Sequence, residues 1–323
     1  MVELSAVLPV YNEVENLCPV LEELCQVLSK HYSSWEILCV DDGSTDGSFS
    51  TLKMLQSQIP QLRIIRLRRH LGQTAALAAG FDQAKGDVIV TLDADGQNDP
   101  ADIPPLVERL KDGYDVVSGW RRDRKDSMMK RFLSRCANRV LGWATGLALH
   151  DFGCTLKAYR RSVLKEIVPY GEMHRILPAY LAALGCRIGE MEVHHRSRLA
   201  GRSKYGWERT FRVLLDILAV AFVIRFSNTP LRALGGVGLL LMGMGGLIGV
   251  WIVVRVVWLN GVWVSPLLFV ATTLVLAGFQ VVAVGLLAEM LLWMQATPPR
   301  RRTYAVEELE AAHRTGMGDD AKD

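Results

Sequence analysis

A chain of 323 residues, half of them hydrophobic, has room for one sizeable domain and a smaller companion. Its 37 basic residues stand against 34 acidic ones, and a net charge of +3 with no basic run interleaved with aromatics excludes nucleic acid as a partner. Six scattered cysteines without a CxxC pair fit reduced thiols in a cytosolic domain, not a disulfide or zinc framework.

The chain opens on a short apolar run, Leu4–Val10, that predicts a buried strand. No basic stretch leading into a long apolar one precedes it, so no secretory signal is expected. Leu17, Leu21, Leu24 and Leu28 give residues 15–31 helical spacing. Residues 36–40 predict a second strand, cut off by Asp41-Asp42-Gly43-Ser44, and residues 48–58 a second helix. Leu62–Leu67 predicts a third strand, residues 74–84 a small-residue helix, and residues 87–92 a fourth strand ending at Asp93. A helix over 104–111 and a strand over 115–119 follow. Such alternation predicts an α/β fold with a mostly parallel sheet and helices on both faces. Sheets of this kind bind ligands beyond the carboxyl ends of their strands. Those ends carry Tyr11 to Glu13, Asp41 to Asp46 and Asp93 to Asp99, so three acidic loops are expected to meet at one crevice.

Residues 130–143 read as a helix with one basic face. Residues 208–225, apolar at Phe211, Leu214, Leu215, Leu218 and Phe222, read as an amphipathic helix suited to a membrane interface. Beyond them charge almost vanishes, and residues 234–254 and 266–294 each have about the 20 residues needed to cross a hydrocarbon core. Arg225 and Arg232 before the first span, and Arg300 to Arg302 after the second, put both termini in the cytoplasm of a multi-pass inner-membrane protein. Arg255, near the far end of the first span, counts slightly against that orientation. Gly245 and Gly249 form a GxxxG that permits close packing and a homo-oligomer through the membrane helices. The tail over 303–323 is polar and acidic, with little order expected. The expected layout is a cytoplasmic domain over 1–207, an interface helix over 208–230, a two-helix membrane domain over 231–296 and a cytoplasmic tail over 297–323.

Asp93-Ala94-Asp95-Gly96-Gln97 carries the strongest chemical signal. Two carboxylates one residue apart at a strand end can share a divalent cation, and a hard ion such as Mg²⁺ or Mn²⁺ takes oxygen ligands. Such an ion bridges the phosphates of a nucleotide diphosphate and offsets charge on the leaving group. Three further segments stand in order around it: Pro9-Val10-Tyr11-Asn12-Glu13 with Asn16, Asp41-Asp42-Gly43-Ser44-Thr45-Asp46, and His70-Leu71-Gly72 before a small-residue helix.

Together these segments resemble the family 2 glycosyltransferases, in particular the polyprenyl-phosphate branch that includes dolichol-phosphate mannosyltransferases. The resemblance covers about the first 210 residues, and the two C-terminal spans are similar to those of bacterial members. It implies a GT-A type domain over 1–207 and roles residue by residue. Pro9, Tyr11 and Glu13 line the nucleotide pocket; Asp41, or its neighbour Asp42, accepts a hydrogen bond from the base; Asp93, Asp95 and Gln97 hold the metal and the diphosphate. Ser44 and Asp46, with Asp42, also fit simple turn and helix-capping chemistry. Gly119-Trp120-Arg121 stands where the family has a Ser-Arg-Tyr type segment, which makes Arg121, with Arg131 and Arg135, a clamp for a lipid phosphate. Asp151 to Lys157 resembles the family's Asp-x-x-x-Gly-Phe-Arg segment but carries Thr155 and Lys157 at its last functional places. Arg202 and Lys204 fall in a segment similar to the basic loop that covers the phosphates. His194 and His195 read as structural residues, not metal ligands.

The implied reaction is inverting transfer of a sugar from a nucleotide diphosphate sugar to a polyprenyl phosphate, undecaprenyl phosphate by resemblance to the two-span members, at a lipid bilayer. Asp95, Arg121 and Arg131 are its expected catalytic residues. A polysaccharide synthase is the main rival, but no Gln-x-x-Arg-Trp segment precedes the spans. A non-catalytic nucleotide-sugar-binding membrane protein is a second. A nicotinamide dehydrogenase is disfavoured because no GxGxxG follows the first strand.

Overall fold

The computed structural model describes residues 2–122, 139, 142, 146–147, 149–165, 167, 173–196, 230–259, 266–295 and 306–310. The chain divides into two compact units, Met1–Ala221 with Arg300–Asp323, and Phe222–Pro299. The expected helix over 208–225 lies outside the described residues, as does that over 130–143 except for residues 139 and 142, and so do Arg131, Arg135, Arg202 and Lys204.

In the first unit, β1 (Leu4–Val10), β2 (Trp35–Asp41), β3 (Leu62–Leu67) and β4 (Val88–Thr91) form a parallel core with β1 at its centre, paired to both β2 and β4. Strands buried on both faces read as continuous apolar runs instead of alternating ones, which is why Leu4–Val10 carries a single polar residue, Ser5. The period-2 geometry still sorts its side chains. Leu4, Ala6 and Leu8 pack with Leu17, Leu21, Leu24 and Leu28 of α1 (Leu17–His31). Val7 points to the opposite face, against the alanines of α3 (Gln73–Gln83). A side chain at Gly80 would collide with Val7, so the small residues of α3 let that helix lie close on the sheet.

The remaining elements complete one eight-stranded sheet in the order β7-β5-β6-β4-β1-β2-β3-β8. They are α2 (Ser48–Gln56), α4 (Ile103–Leu110), β5 (Val116–Trp120), β6 (Lys157–Arg160), the short α5 (Arg161–Leu164), α6 (Met173–Ala183), β7 (Ile188–Glu192) and β8 (Val306–Glu310). Strand β6 runs antiparallel between β4 and β5, placing Lys157 opposite Thr91. This strand has no apolar run to announce it; the slot between two apolar neighbours creates it. β8 is the larger departure from expectation. The acidic tail adds an antiparallel strand to β3, with Arg66 opposite Glu308 and Ile65 opposite Leu309.

The second unit holds α7 (Pro230–Leu259) and α8 (Pro266–Gln295). By length and composition, Pro230–Trp258 and Pro266–Leu291 are apolar enough to cross a membrane, with 17% and 11% of their most apolar windows buried. Helices apolar all round and this exposed suit a lipid surround. The two helices cross closely at Gly238 and Gly278, where a Cβ on either would lie within 2.6 Å of the other's carbonyl oxygen. Gly245 of the GxxxG is used inside this pair, against the Ala271 carbonyl, while Gly249 faces open space. Glu289 accepts a hydrogen bond from the Leu231 N–H at 3.3 Å, meeting a donor left over at the start of α7.

Candidate active site

The loops after β1 and β2 are stitched together before any ligand arrives. Asn12 takes a left-handed backbone (φ 55), which asparagine tolerates better than most residues. Its N–H donates to Ser44 Oγ at 3.0 Å, and its Oδ1 accepts from the Thr45 N–H at 2.9 Å. Glu13 N–H donates to Ser48 Oγ, and Val14 N–H to Asp46 Oδ2. Gly43 makes the close approach possible: its φ is 69, and a Cβ there would lie 2.8 Å from the backbone of Arg69.

The two carboxylates at the end of β2 differ. Asp42 accepts from the N–H groups of Leu71 and Gly72, at 2.7 and 2.8 Å, and sits 2.8 Å from His70 Nδ1. It therefore shapes the loop that precedes α3. His70 in turn stacks on Tyr11, with ring centroids 3.9 Å apart. Asp41 is fully buried; its Oδ1 accepts from the Ser44 N–H, while Oδ2 lies 3.6 Å from Arg66 Nε and has no hydrogen bond among the described residues. Burial raises its pKa, against the lowering pull of Ser44 and Arg66. A buried acceptor left without a donor can take a hydrogen bond from a ligand N–H.

At the end of β4, Asp93 is clamped on both oxygens. Gln73 Nε2 donates to Oδ1 at 2.7 Å and Thr155 Oγ1 to Oδ2 at 2.8 Å. Asp95, 6% exposed, accepts from the Gln97 N–H at 3.1 Å across a turn that Gly96 makes with φ 74. Burial, and then the charge of Asp95, raise the Asp93 carboxyl to about 6. Two carboxylates that repel each other at a strand end invite a cation. Among the described residues no cluster of three or more His, Cys, Asp or Glu side chains is placed to hold a metal. The donors that are present, the carboxylates of Asp93 and Asp95, are of the oxygen type that a hard ion such as Mg²⁺ takes one or two at a time.

On the other side of Asp93 the charges pair among themselves. Arg121 makes a two-pronged bond to Asp151, Nε to Oδ2 at 2.7 Å and Nη2 to Oδ1 at 3.1 Å, and among the described residues its Nη1 has no hydrogen bond. Arg122 pairs with Glu192 at 3.0 Å, and His150 stacks on Trp120. His194 contacts Asp102 through its N–H and Nδ1, and so serves the fold. Lys157, which sequence reasoning gave no role, is fully buried beside this group, and burial lowers its ammonium to about 8. The one sequence signal for it is its place at the end of the Asp151 to Lys157 segment, since the strand that holds it has no apolar pattern.

The pattern of glycosyl transferase family 2 matches residues 5–168. The chain is 42% identical over 295 residues to the dodecaprenyl-phosphate galacturonate synthase of Rhizobium johnstonii, covering 90% of this chain and 87% of that protein. It is 36% identical to the undecaprenyl-phosphate 4-deoxy-4-formamido-L-arabinose transferase of Pseudomonas fluorescens, over 94% of this chain and 89% of that one. Among solved structures, the glucosyl-3-phosphoglycerate synthase of Mycobacterium tuberculosis, crystallised with Mn²⁺, uridine-diphosphate-glucose and phosphoglyceric acid, shares the fold. It superposes with a TM-score of 0.54 at 20% identity, covering 69% of this chain and 79% of that one. The chain belongs to glycosyl transferase family 2, and within it to the polyprenyl-phosphate glycosyltransferases.

Proposed function

We propose that the protein transfers a sugar, with inversion at the anomeric carbon, from a nucleotide diphosphate sugar to a polyprenyl phosphate at the cytoplasmic face of the inner membrane. The observation that carries this reading is Asp93, clamped by Gln73 and Thr155 beside Asp95, at the carboxyl end of the strand next to β1. The base lies toward Tyr11 and Asp41, with Pro9 and Glu13 lining the pocket. Asp93 and Asp95, with Gln97, would hold a divalent cation, Mg²⁺ or Mn²⁺, which when bound offsets the charge on the departing diphosphate. The acceptor phosphate, already anionic because its second pKa is about 6, needs no strong base to attack the anomeric carbon. Arg121, held in place by Asp151, offers Nη1 to it. Arg131, Arg135, Arg202 and Lys204 complete the acceptor clamp in this reading. Positioning and exclusion of water supply the rest.

Two features support the membrane assignment. The helices α7 and α8 are long and apolar enough to span. β8, which follows them in the chain, pairs with β3 of the sheet that precedes them, as an even number of crossings requires. In this reading residues 1–207 form the cytoplasmic catalytic domain, 208–230 an interface helix and 231–296 the membrane domain. The test is a transfer assay with the purified full-length protein, Mg²⁺ or Mn²⁺, undecaprenyl phosphate and a panel of UDP- and GDP-sugars, read by mass spectrometry of the lipid. A lipid-phosphate-sugar product supports the proposal. Binding of a donor without any lipid product refutes the acceptor assignment.

A further inference from the structure

Beneath Asp93, between α3 and α6, the fold leaves a niche with room for about one water molecule. Pro9, Gln73, Asp93, Thr155 and Lys157 line it, with Leu77, His174 and Leu177 among its other walls. His174 fixes one wall: its Nδ1 lies 2.7 Å from Thr74 Oγ1, tying α6 to α3.

Lys157 is 2% exposed, and its ammonium has three donors. Among the described residues a single one is engaged, by the Phe152 carbonyl at 3.3 Å, and Lys157 forms no ion pair. A buried ammonium so thinly bonded is costly unless something completes its shell. Asp151 and Asp93 attract it from a distance, but their near oxygens are committed elsewhere: Asp93 is clamped by Gln73 and Thr155, and Asp151 is engaged by Arg121. The sheet order says what comes close. β4 lies between β1 and β6, so a donor with its base over the β1 and β2 loops and its diphosphate at Asp93 carries its sugar on the β6 side.

We propose that Lys157 is a sugar-recognition residue whose Nζ donates to an oxygen substituent of the transferred sugar reaching into this niche. The inference rests on the donor-site reading above. The substituent is a hydroxyl or a carboxylate oxygen, the same acceptor chemistry in two forms. Lys157 thereby selects among donors, because a site built to hydrogen-bond a group rejects the analogue that lacks it.

The test is isothermal titration of the full-length protein with Mn²⁺, wild type against Lys157→Met. The ligands are UDP, UDP-glucose and UDP-galacturonic acid, with GDP and GDP-mannose as the second nucleotide series. The expected result is a nucleoside diphosphate affinity unchanged within about twofold and a loss of about tenfold or more for the nucleotide sugar that binds the wild type most tightly. A loss confined to UDP-galacturonic acid marks a carboxylate oxygen; a loss shared with the neutral sugars marks a hydroxyl. Equal losses for the diphosphate and the sugar nucleotides, or no loss at all, overturn the proposal. So does a wild type to which no sugar adds affinity. If Lys157→Met does not fold, singly deoxygenated donors on the wild type decide: one position must cost about tenfold, and uniform affinity overturns the idea. A wild type that binds neither nucleotide series overturns the donor-site reading itself, and this inference with it.

Discussion

The two sides of the crevice are built differently. Toward β2 and β3, side-chain oxygens of Asn12, Asp42, Ser44, Asp46 and Ser48 are bonded to backbone N–H groups of a neighbouring loop. Toward β6 and β5, charged side chains crowd together, Asp151 and Lys157 buried and Asp93 and Arg121 partly so. The first side is a preformed cradle whose geometry does not wait for a ligand. The second stores charge that a metal, a phosphate and a sugar can complete. Changes on the first side should therefore act on nucleotide binding with modest effects on stability, and changes on the second on turnover and selectivity, with a large effect on stability where a partly buried ion pair is broken.

The largest expected effect is on the second side. Asp95→Ala should lower transfer by about a thousandfold, the scale of losing an electrostatic stabiliser of the leaving group, with the melting temperature nearly unchanged. Normal turnover by that variant would remove the metal from the account. Asp151→Asn comes next. It leaves the largely buried Arg121 guanidinium, 13% exposed, without its carboxylate, and breaking such a pair costs on the order of 3 kcal/mol, read in a denaturant titration. An unchanged midpoint would mean that the pair contributes nothing to the fold.

Much of this division was legible in the chain, and the reasons are local. Asp93 and Asp95 announce themselves because an apolar strand stops at a DxD, and both spans follow from uninterrupted apolar length. The leucine spacing that predicts a helix over 15–31 is matched by α1, Leu17–His31. What stayed hidden depends on tertiary contact. Asp151 and Arg121 are 30 residues apart and meet through the β5–β6 pairing. Lys157 sits on a four-residue strand with no apolar alternation. The segment Val306–Glu310 reads as an acidic tail, and it becomes a strand through the open edge of β3. Short acidic segments take the structure of the edge they meet, not one of their own.

On the cradle side the effects should be smaller. Asp42→Asn keeps the shape but removes the charge from the bonds to Leu71 and Gly72, which should weaken nucleotide binding by about tenfold and lower stability by about 1–2 kcal/mol. A variant that loses turnover while binding nucleotide normally would break the comparison. The pH dependence sharpens it. With the Asp93 carboxyl raised to about 6, protonation removes its charge below that value. The advantage in Mn²⁺ affinity of the wild type over Asp93→Asn, followed by electron paramagnetic resonance in the presence of nucleoside diphosphate so that the phosphate's own titration cancels, should be level above about pH 6.5 and shrink up to tenfold per unit below about 5.5. A flat profile across that interval would mean that Asp93 does not meet the ion.

The central claim is that metal-assisted displacement at Asp93 and Asp95 joins a sugar directly to a lipid phosphate. The most direct measurement is the anomeric configuration of the lipid product by nuclear magnetic resonance, from a reaction run with Mn²⁺ and a parallel one with chelator. The account predicts a single inverted anomer formed in the metal-containing reaction alone. A retained anomer, or equal product with chelator present, would contradict it.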